Sequence, residues 1–214
     1  MDAKVYAWID LETTGLDLVF DDVLEAAMVV TTPDLRVLDQ PFTTVVTPAI
    51  VEWHDRIRAN PIVNEMHTTN GLIEAIYKGQ GIPLWQVQMQ FCRILSKYAE
   101  PGEVRLAGSG VGVFDLPIIR ETMPLLAGWF DYAVMDVGVL RRFIREVLGR
   151  PDLLLDDPKA HRALPDLQFY LKEMEAYQAM LRNVVGAAPV KLDSQPGEEP
   201  LGAGVSSEFA VKQP

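Results

Sequence analysis

Cysteine is almost absent from this 214-residue chain, where Cys92 stands alone. One thiol can neither close an internal disulfide nor build a multi-cysteine zinc site. That excludes the disulfide-rich secreted class and the structural zinc class, and makes a reducing, cytoplasmic interior the expected location. Long apolar runs are missing too. No stretch reaches the about eighteen residues that a bilayer span requires, and the N-terminal MDAKVYAWID meets an acid before a signal-peptide core could form. Neither a membrane partner nor a secretory signal is expected. Positive charge is also scarce: 19 Lys and Arg face 30 Asp and Glu, for a formal charge of −11. Proteins that coat long nucleic acids draw their affinity from Lys and Arg neutralising phosphates, so that class is disfavoured. An enzyme whose metal site is built from carboxylates is not.

What is present is an ordinary globule. Hydrophobic residues make up 49% of the chain, and the length suits one α/β or α+β domain with at most an appendage. Val5 to Glu12 reads as a strand closed by the turn formers Thr13, Thr14 and Gly15. Val23 to Thr31 and Val37 to Val46 read as two more strands, giving an antiparallel meander. From about Glu52 to Tyr98 the pattern turns helical, with Leu84, Val87, Phe91, Ile94, Leu95 and Tyr98 at amphipathic spacing. A short strand at Val104 to Ala107 leads through the glycine-rich Gly108 to Gly112 into a helix near Phe114. A strand at Tyr132 to Val137, a helix through Phe143, and a last helix opened by Pro165 and running to about Asn183 complete the body. Meander first and alternating elements afterwards predict a mixed sheet of five to six strands flanked by helices. Residues 184–214 are rich in Gly, Pro and Ser with few large apolar groups, and read as a disordered tail carrying a net charge of −2.

Three acidic sites stand out. Asp10 and Glu12 lie two apart on the first strand, so both leave one face beside Tyr6 and Trp8. Two neighbouring carboxylates repel unless a cation or a proton lies between them, and a divalent metal supplies the simplest relief. Asp115 falls in the first turn of a predicted helix, where pairing with the helix dipole would already account for it. His161 and Asp166 straddle Pro165 at the start of the last helix and can face one cleft. Taken singly, each reads as surface charge or a helix cap. Their order along the chain gives them weight together.

D-x-E on the first strand, an Asp at the head of a middle helix and H-x4-D at the last form the pattern of the DEDDh 3′→5′ exonucleases. The chain resembles the oligoribonuclease branch of that superfamily through Trp8 to Asp17 (WIDLETTGLD), Asn64 to Leu72 (NEMHTTNGL), Met135 to Val137, and His161 to Leu164 ahead of Asp166. The resemblance covers residues 1–183 and implies a ribonuclease H-like fold. It further implies that Asp10, Glu12, Asp115 and Asp166 hold two Mg²⁺ or Mn²⁺ ions about 3.5–4 Å apart. His161 would act as general base on the attacking water, releasing 5′-nucleoside monophosphates from the 3′ ends of short single-stranded RNA or DNA. By the same resemblance Leu16 wedges against terminal bases and His67 lies near substrate. Ser109 falls where the family uses a polar residue on a phosphate, Glu25 supports the site, and Tyr132 contributes to a homodimer interface.

The chain departs from the strict dinucleotide-cleaving pattern. The glycine-rich turn around Ser109 is one residue longer than the family's, and Ala133, Gly138 and Val139 stand where the family carries Arg, Ser and Thr. Ile62 is nearest to an expected aromatic. Lost phosphate contacts imply retained chemistry without a strict preference for dinucleotides. Two other readings stay open: a DNA-directed exonuclease of the proofreading type, and an inactive module that binds nucleic-acid ends.

Overall fold

The computed structural model describes residues 3–17, 20–49, 52–158 and 160–187. The chain divides into a unit Met1–Gln178 and a second, Ala179–Pro214. Of the second, the described part is the end of the last helix, and the tail expected from 184 onward lies, past residue 187, outside the described residues.

A six-stranded mixed sheet has the order β4-β3-β2-β1-β5-β6. β1 (Val5–Thr13), β2 (Val23–Thr31) and β3 (Phe42–Thr47) form the antiparallel meander. β5 (Val104–Gly108) runs parallel to β1, and β6 (Phe130–Asp136) parallel to β5. The two-residue β4 (Ile82–Pro83) pairs with β3. The mixed α/β sheet expected from sequence is therefore present. The third strand is shorter than expected: Val37 makes only an isolated bridge to Thr31, and continuous pairing begins at Phe42. Pro41 has no N–H for a ladder, which delays the strand.

The helical middle is broken into α1 (Trp53–Ala59), α2 (Pro61–Thr69), α3 (Leu72–Tyr77) and α4 (Leu84–Leu95). Pro61 must open a helix rather than continue one, and the Asn60 side chain caps α2 by accepting from the Val63 N–H at 3.3 Å. Gly71, at φ 78°, turns the chain into α3. Beyond β5 come α5 (Asp115–Thr122) and α6 (Pro124–Ala127). α7 (Val137–Arg142) follows β6 and continues into a π-helical turn, Phe143–Val147. α8 spans Ala163–Ala187 and begins two residues ahead of the expected Pro165, which still falls in the first turn where N–H groups have no intrahelical partner.

Alternation along β1 decides what each face does. Val5, Ala7, Ile9 and Leu11 point into the main core, packed with Val87, Phe91 and Leu95 of α4 and Leu116 and Ile119 of α5. Asp10 and Glu12 leave by the other face, where α1 and α3 cover the sheet through Leu24, Val45, Ile57 and Leu72. Among the described residues no helix is long and apolar enough to cross a membrane. Phe91 is fully buried and meets Phe42 edge to face at 5.6 Å. Phe91→Ala should cost about 3–5 kcal/mol, since the cavity lies between two rigid layers. Urea unfolding checks this, and a loss below about 1 kcal/mol would show that α4 repacks.

Candidate active site

The structure brings Asp10, Glu12 and Asp166 together: one carboxylate oxygen from each lies within 4.8 Å of the others. β1 supplies the first two from one face, and the first turn of α8 supplies the third. Asp115 stands against the same strand, its buried carboxylate accepting the Leu11 N–H at 3.0 Å, and so lies between Asp10 and Glu12 along β1. At the N-terminus of α5 it could have capped its own helix, yet it reaches the strand instead.

Crowding acids where water is scarce raises their affinity for protons. Burial, then the Asp115, Glu12 and Asp166 charges, holds Asp10 well above the ordinary carboxylate range. Burial first, then Asp166 and Glu25, pushes Glu12 up to about 8. Asp115 is raised to about 7, chiefly by burial and against the opposing Leu11 hydrogen bond. Asp166 is raised to about 6, again by burial, with His161 pulling the other way. Bare of cations, the cluster favours a partly protonated state.

One guanidinium relieves it. Glu25 lies directly across from Glu12 on β2, where like charges repel. Arg162 meets the Glu25 carboxylate with Nε at 2.9 Å and Nη2 at 2.6 Å, and Glu25 also accepts the Ala163 N–H at 2.9 Å. The pair therefore fastens the start of α8 to β2. Arg162 also donates to the Asn70 carbonyl at 3.1 Å, while the Asn70 amide donates to the His161 carbonyl. His161 is exposed with φ 49°, a left-handed conformation uncommon outside glycine, and its N–H bonds to Asp166. Asn70 and Asp166 hold this backbone from both sides.

The remaining residues expected at the site differ in position. Leu16 is 79% exposed on the turn after β1. His67 is fully buried beneath that turn, with Nε2 3.0 Å from the Thr13 carbonyl and 3.9 Å from Glu12. The carbonyl can only accept, so Nε2 carries the proton. Burial lowers the ring's pKa and keeps it neutral. His67 thus supports the turn from inside rather than presenting a free ring at the surface. Ser109 Oγ lies 3.4 Å from Arg141 Nη1. Asp136 caps α7 by accepting the Gly138 N–H at 2.8 Å, and it also holds the Gly110 N–H at 3.0 Å.

Sequence reasoning gave no role to Asn70, Arg162 or Tyr170. Burial, with the Asp10 and Asp166 charges, raises the Tyr170 phenol, which is thereby kept neutral beside the cluster. The Arg141 guanidinium covers its ring at 5.9 Å and is in turn bonded to Glu173, which is fully buried. Tyr177 donates to Glu173 at 2.9 Å. Asp166, Tyr170, Glu173 and Tyr177 are spaced four, three and four apart, a polar stripe along one helix face that was visible in the sequence.

No family model matches the chain. It is 33% identical over 175 residues to an oligoribonuclease of Leifsonia xyli, covering 80% of this chain and 81% of that protein. It is 31% identical to one of Cutibacterium acnes, over 81% of this chain and 84% of that protein. The oligoribonuclease of Actinobacillus pleuropneumoniae matches at 30%, over 86% of this chain and 97% of that protein. Among solved structures, an E. coli exonuclease I complex with single-stranded DNA superposes with a TM-score of 0.58 at 16% identity, over 87% of this chain and 43% of that one. Exonuclease I from Methylocaldum szegediense gives 0.58 at 18%, over 86% and 43%. The chain spans less than half of either exonuclease I, and at these identities the likeness concerns the fold. Sequence identity to the three oligoribonucleases reaches further, and on it the chain belongs to the oligoribonuclease family.

Proposed function

We propose that the protein is a 3′→5′ exonuclease that hydrolyses short single-stranded oligonucleotides to 5′-nucleoside monophosphates. The observation that carries this reading is the convergence of Asp10, Glu12 and Asp166 within 4.8 Å beside the exposed His161, on a chain of the oligoribonuclease family. The donor set fits divalent cations: hard oxygens only, crowded enough that protons bind in their place. Asp10, Glu12, Asp115 and Asp166 would hold two such ions, Mg²⁺ or Mn²⁺. When bound, the ions supply Lewis acidity to the phosphoryl group and offset charge as the bond to the leaving 3′ oxygen breaks.

The other roles belong to the chain's own residues. His161 takes the proton of the attacking water, and the grip of Asn70 and Asp166 on its backbone aims the ring. Arg162 neutralises Glu25, so that the negative potential is concentrated on the four ligands. Leu16 offers an apolar edge to the terminal bases, and His67 keeps that turn in place from below. Ser109, held beside Arg141, offers a hydroxyl to a phosphate. RNA is the favoured substrate because the relatives are oligoribonucleases. A DNA-directed enzyme of the proofreading type is the second reading.

His161→Ala should lower kcat by roughly 10²–10⁴-fold on a labelled oligonucleotide under Mg²⁺ and leave Mn²⁺ binding in place. Asp10→Ala should remove both. Run on matched RNA and DNA oligomers, the assay should favour RNA. Unchanged hydrolysis by the Asp10 variant would sink the mechanism.

The raised carboxyls also set a pH dependence. Between their unfolded values, near 4, and folded values up to about 8 for Glu12, the folded metal-free chain binds more protons than the unfolded chain. Stability should fall as pH rises through that window. Cations compete with those protons, so the rise in Tm on adding Mn²⁺ should be larger at pH 8 than at pH 6. Equal shifts at both would mean the cations bind elsewhere.

A homodimer is also proposed. Tyr132 is 96% exposed on the edge strand β6, and Val139, Phe143 and Val147 form an exposed apolar row at spacings of four along α7 and the turn after it. Light scattering should report twice the chain mass, and Tyr132→Arg should reduce it toward a monomer. A monomeric unsubstituted protein would contradict this.

A further inference from the structure

The loop after β1 carries a second exposed feature beyond Leu16. Phe20 is 61% exposed, and the Arg56 guanidinium of α1 lies over its ring, with Cζ 5.9 Å from the centroid. The backbone on both sides of the ring is tied down. Asp17 Oδ1 accepts the Phe20 N–H at 3.2 Å, and the Asp17 carbonyl accepts the Asp21 N–H at 2.9 Å. Asp21 in turn accepts from Thr14 Oγ1 at 2.6 Å and from the Asp17 N–H at 2.7 Å. Gly15 faces the same carboxylate so closely that a Cβ there would stand 2.5 Å from Asp21 Oδ2. An aromatic ring is therefore displayed on a loop braced from within.

Arg56 is half-buried, yet among the described residues no carboxylate comes within ion-pair distance of it. The neighbouring Asp55 pairs with His54 at 3.4 Å and with Arg58 at 3.8 Å instead. In a chain with a net charge of −11, a guanidinium left without an acid is available to an anion. An exposed aromatic ring beside a guanidinium that no acid pairs matches the chemistry of single-stranded nucleic acid, since bases stack on the ring and phosphates pair with Arg. Phe20 belongs to the loop that leaves β1 just after Asp10 and Glu12, Leu16 comes before it along that loop, and Arg56 reaches its ring from α1.

We propose that Phe20 and Arg56 form an upstream nucleotide site, where a base of a longer single strand stacks on Phe20 and a phosphate meets Arg56. This rests on the exonuclease reading and deepens it. The 3′ terminus lies at the carboxylates, the next base meets Leu16, and a later nucleotide reaches Phe20. Strands longer than a dinucleotide gain a contact that a dinucleotide cannot make.

The test compares binding of a fluorescent dinucleotide and hexanucleotide of the same sequence to the full chain in EDTA, where nothing is cleaved. Stacking on one aromatic contributes about 1–3 kcal/mol, or roughly 5–150-fold. Phe20→Ala should weaken the hexanucleotide by that range and leave the dinucleotide within about two-fold, with Phe20→Tyr retaining affinity. Arg56→Gln should reduce the salt dependence for the hexanucleotide alone, with the slope falling by about 0.7. Equal losses at both lengths, or none at either, overturn the proposal. Hydrolysis by the unsubstituted chain under Mg²⁺ is measured in parallel, and its absence would overturn the exonuclease reading while the binding comparison still judges this one.

Discussion

Everything near the site answers to one constraint: five carboxylates, those of Asp10, Glu12, Glu25, Asp115 and Asp166, share a region with a single guanidinium bonded among them. Charges of one sign out of water raise one another's proton affinity, and four of the five are raised here. The fold tolerates this because the hydrophobic work is done elsewhere. Ile9 and Leu11, alternating with the acids on β1, bury themselves against α4 and α5. The strand that builds the core thus also projects the charge, and neither role can slip by a residue without exchanging faces.

The second consequence concerns α8. The helix that presents Asp166 adds one more carboxylate to this cluster, and its first residues are secured by three separate devices. Arg162 takes up Glu25, the Ala163 N–H takes the same carboxylate, and Asn70 holds the His161 carbonyl. His161 itself keeps a left-handed conformation that costs roughly 1–2 kcal/mol for a non-glycine residue. Strain of that kind persists only where the surroundings over-determine it, and it concentrates at functional positions. The residue whose ring is proposed to move the proton is the one whose backbone is held most deliberately.

The sequence made part of this legible. Asp10 and Glu12 shared a face by strand parity, and His161 with Asp166 shared a helix start, because local periodicity governs both. Asp115 was placeable only through the resemblance, for its contact with Leu11 spans 104 positions and no local rule predicts it. The resemblance puts His67 near substrate, but that its ring is buried and faces the Thr13 carbonyl is a choice that tertiary packing makes. Arg162 carries no motif signal of its own beside His161, although an Arg flanking a cluster of acids is the natural countercharge. In the sequence Pro165 marks the helix start, because Pro favours the first helical position. The Arg162 carbonyl accepting the Asp166 N–H at 3.0 Å shows the helix already formed ahead of it.

Net charge takes on a different meaning in this light. A value of −11 argues against a groove for long polyanions, yet much of it is local. Two divalent cations on the four proposed ligands would bring it to −7, and residues 184–214 contribute −2 of it. Attraction for substrate would then come from the cations and from guanidinium groups that no acid engages. Arg105 is committed to Asp131, Arg141 to Glu173, Arg150 to Asp152 and Arg162 to Glu25. Arg56, which lies over an exposed ring instead, differs from these four in just the way that matters for a phosphate. With 30 acids against 19 Lys and Arg, a strand bound in the proposed way would be held by its end and by single points along it, and long-range attraction would contribute little.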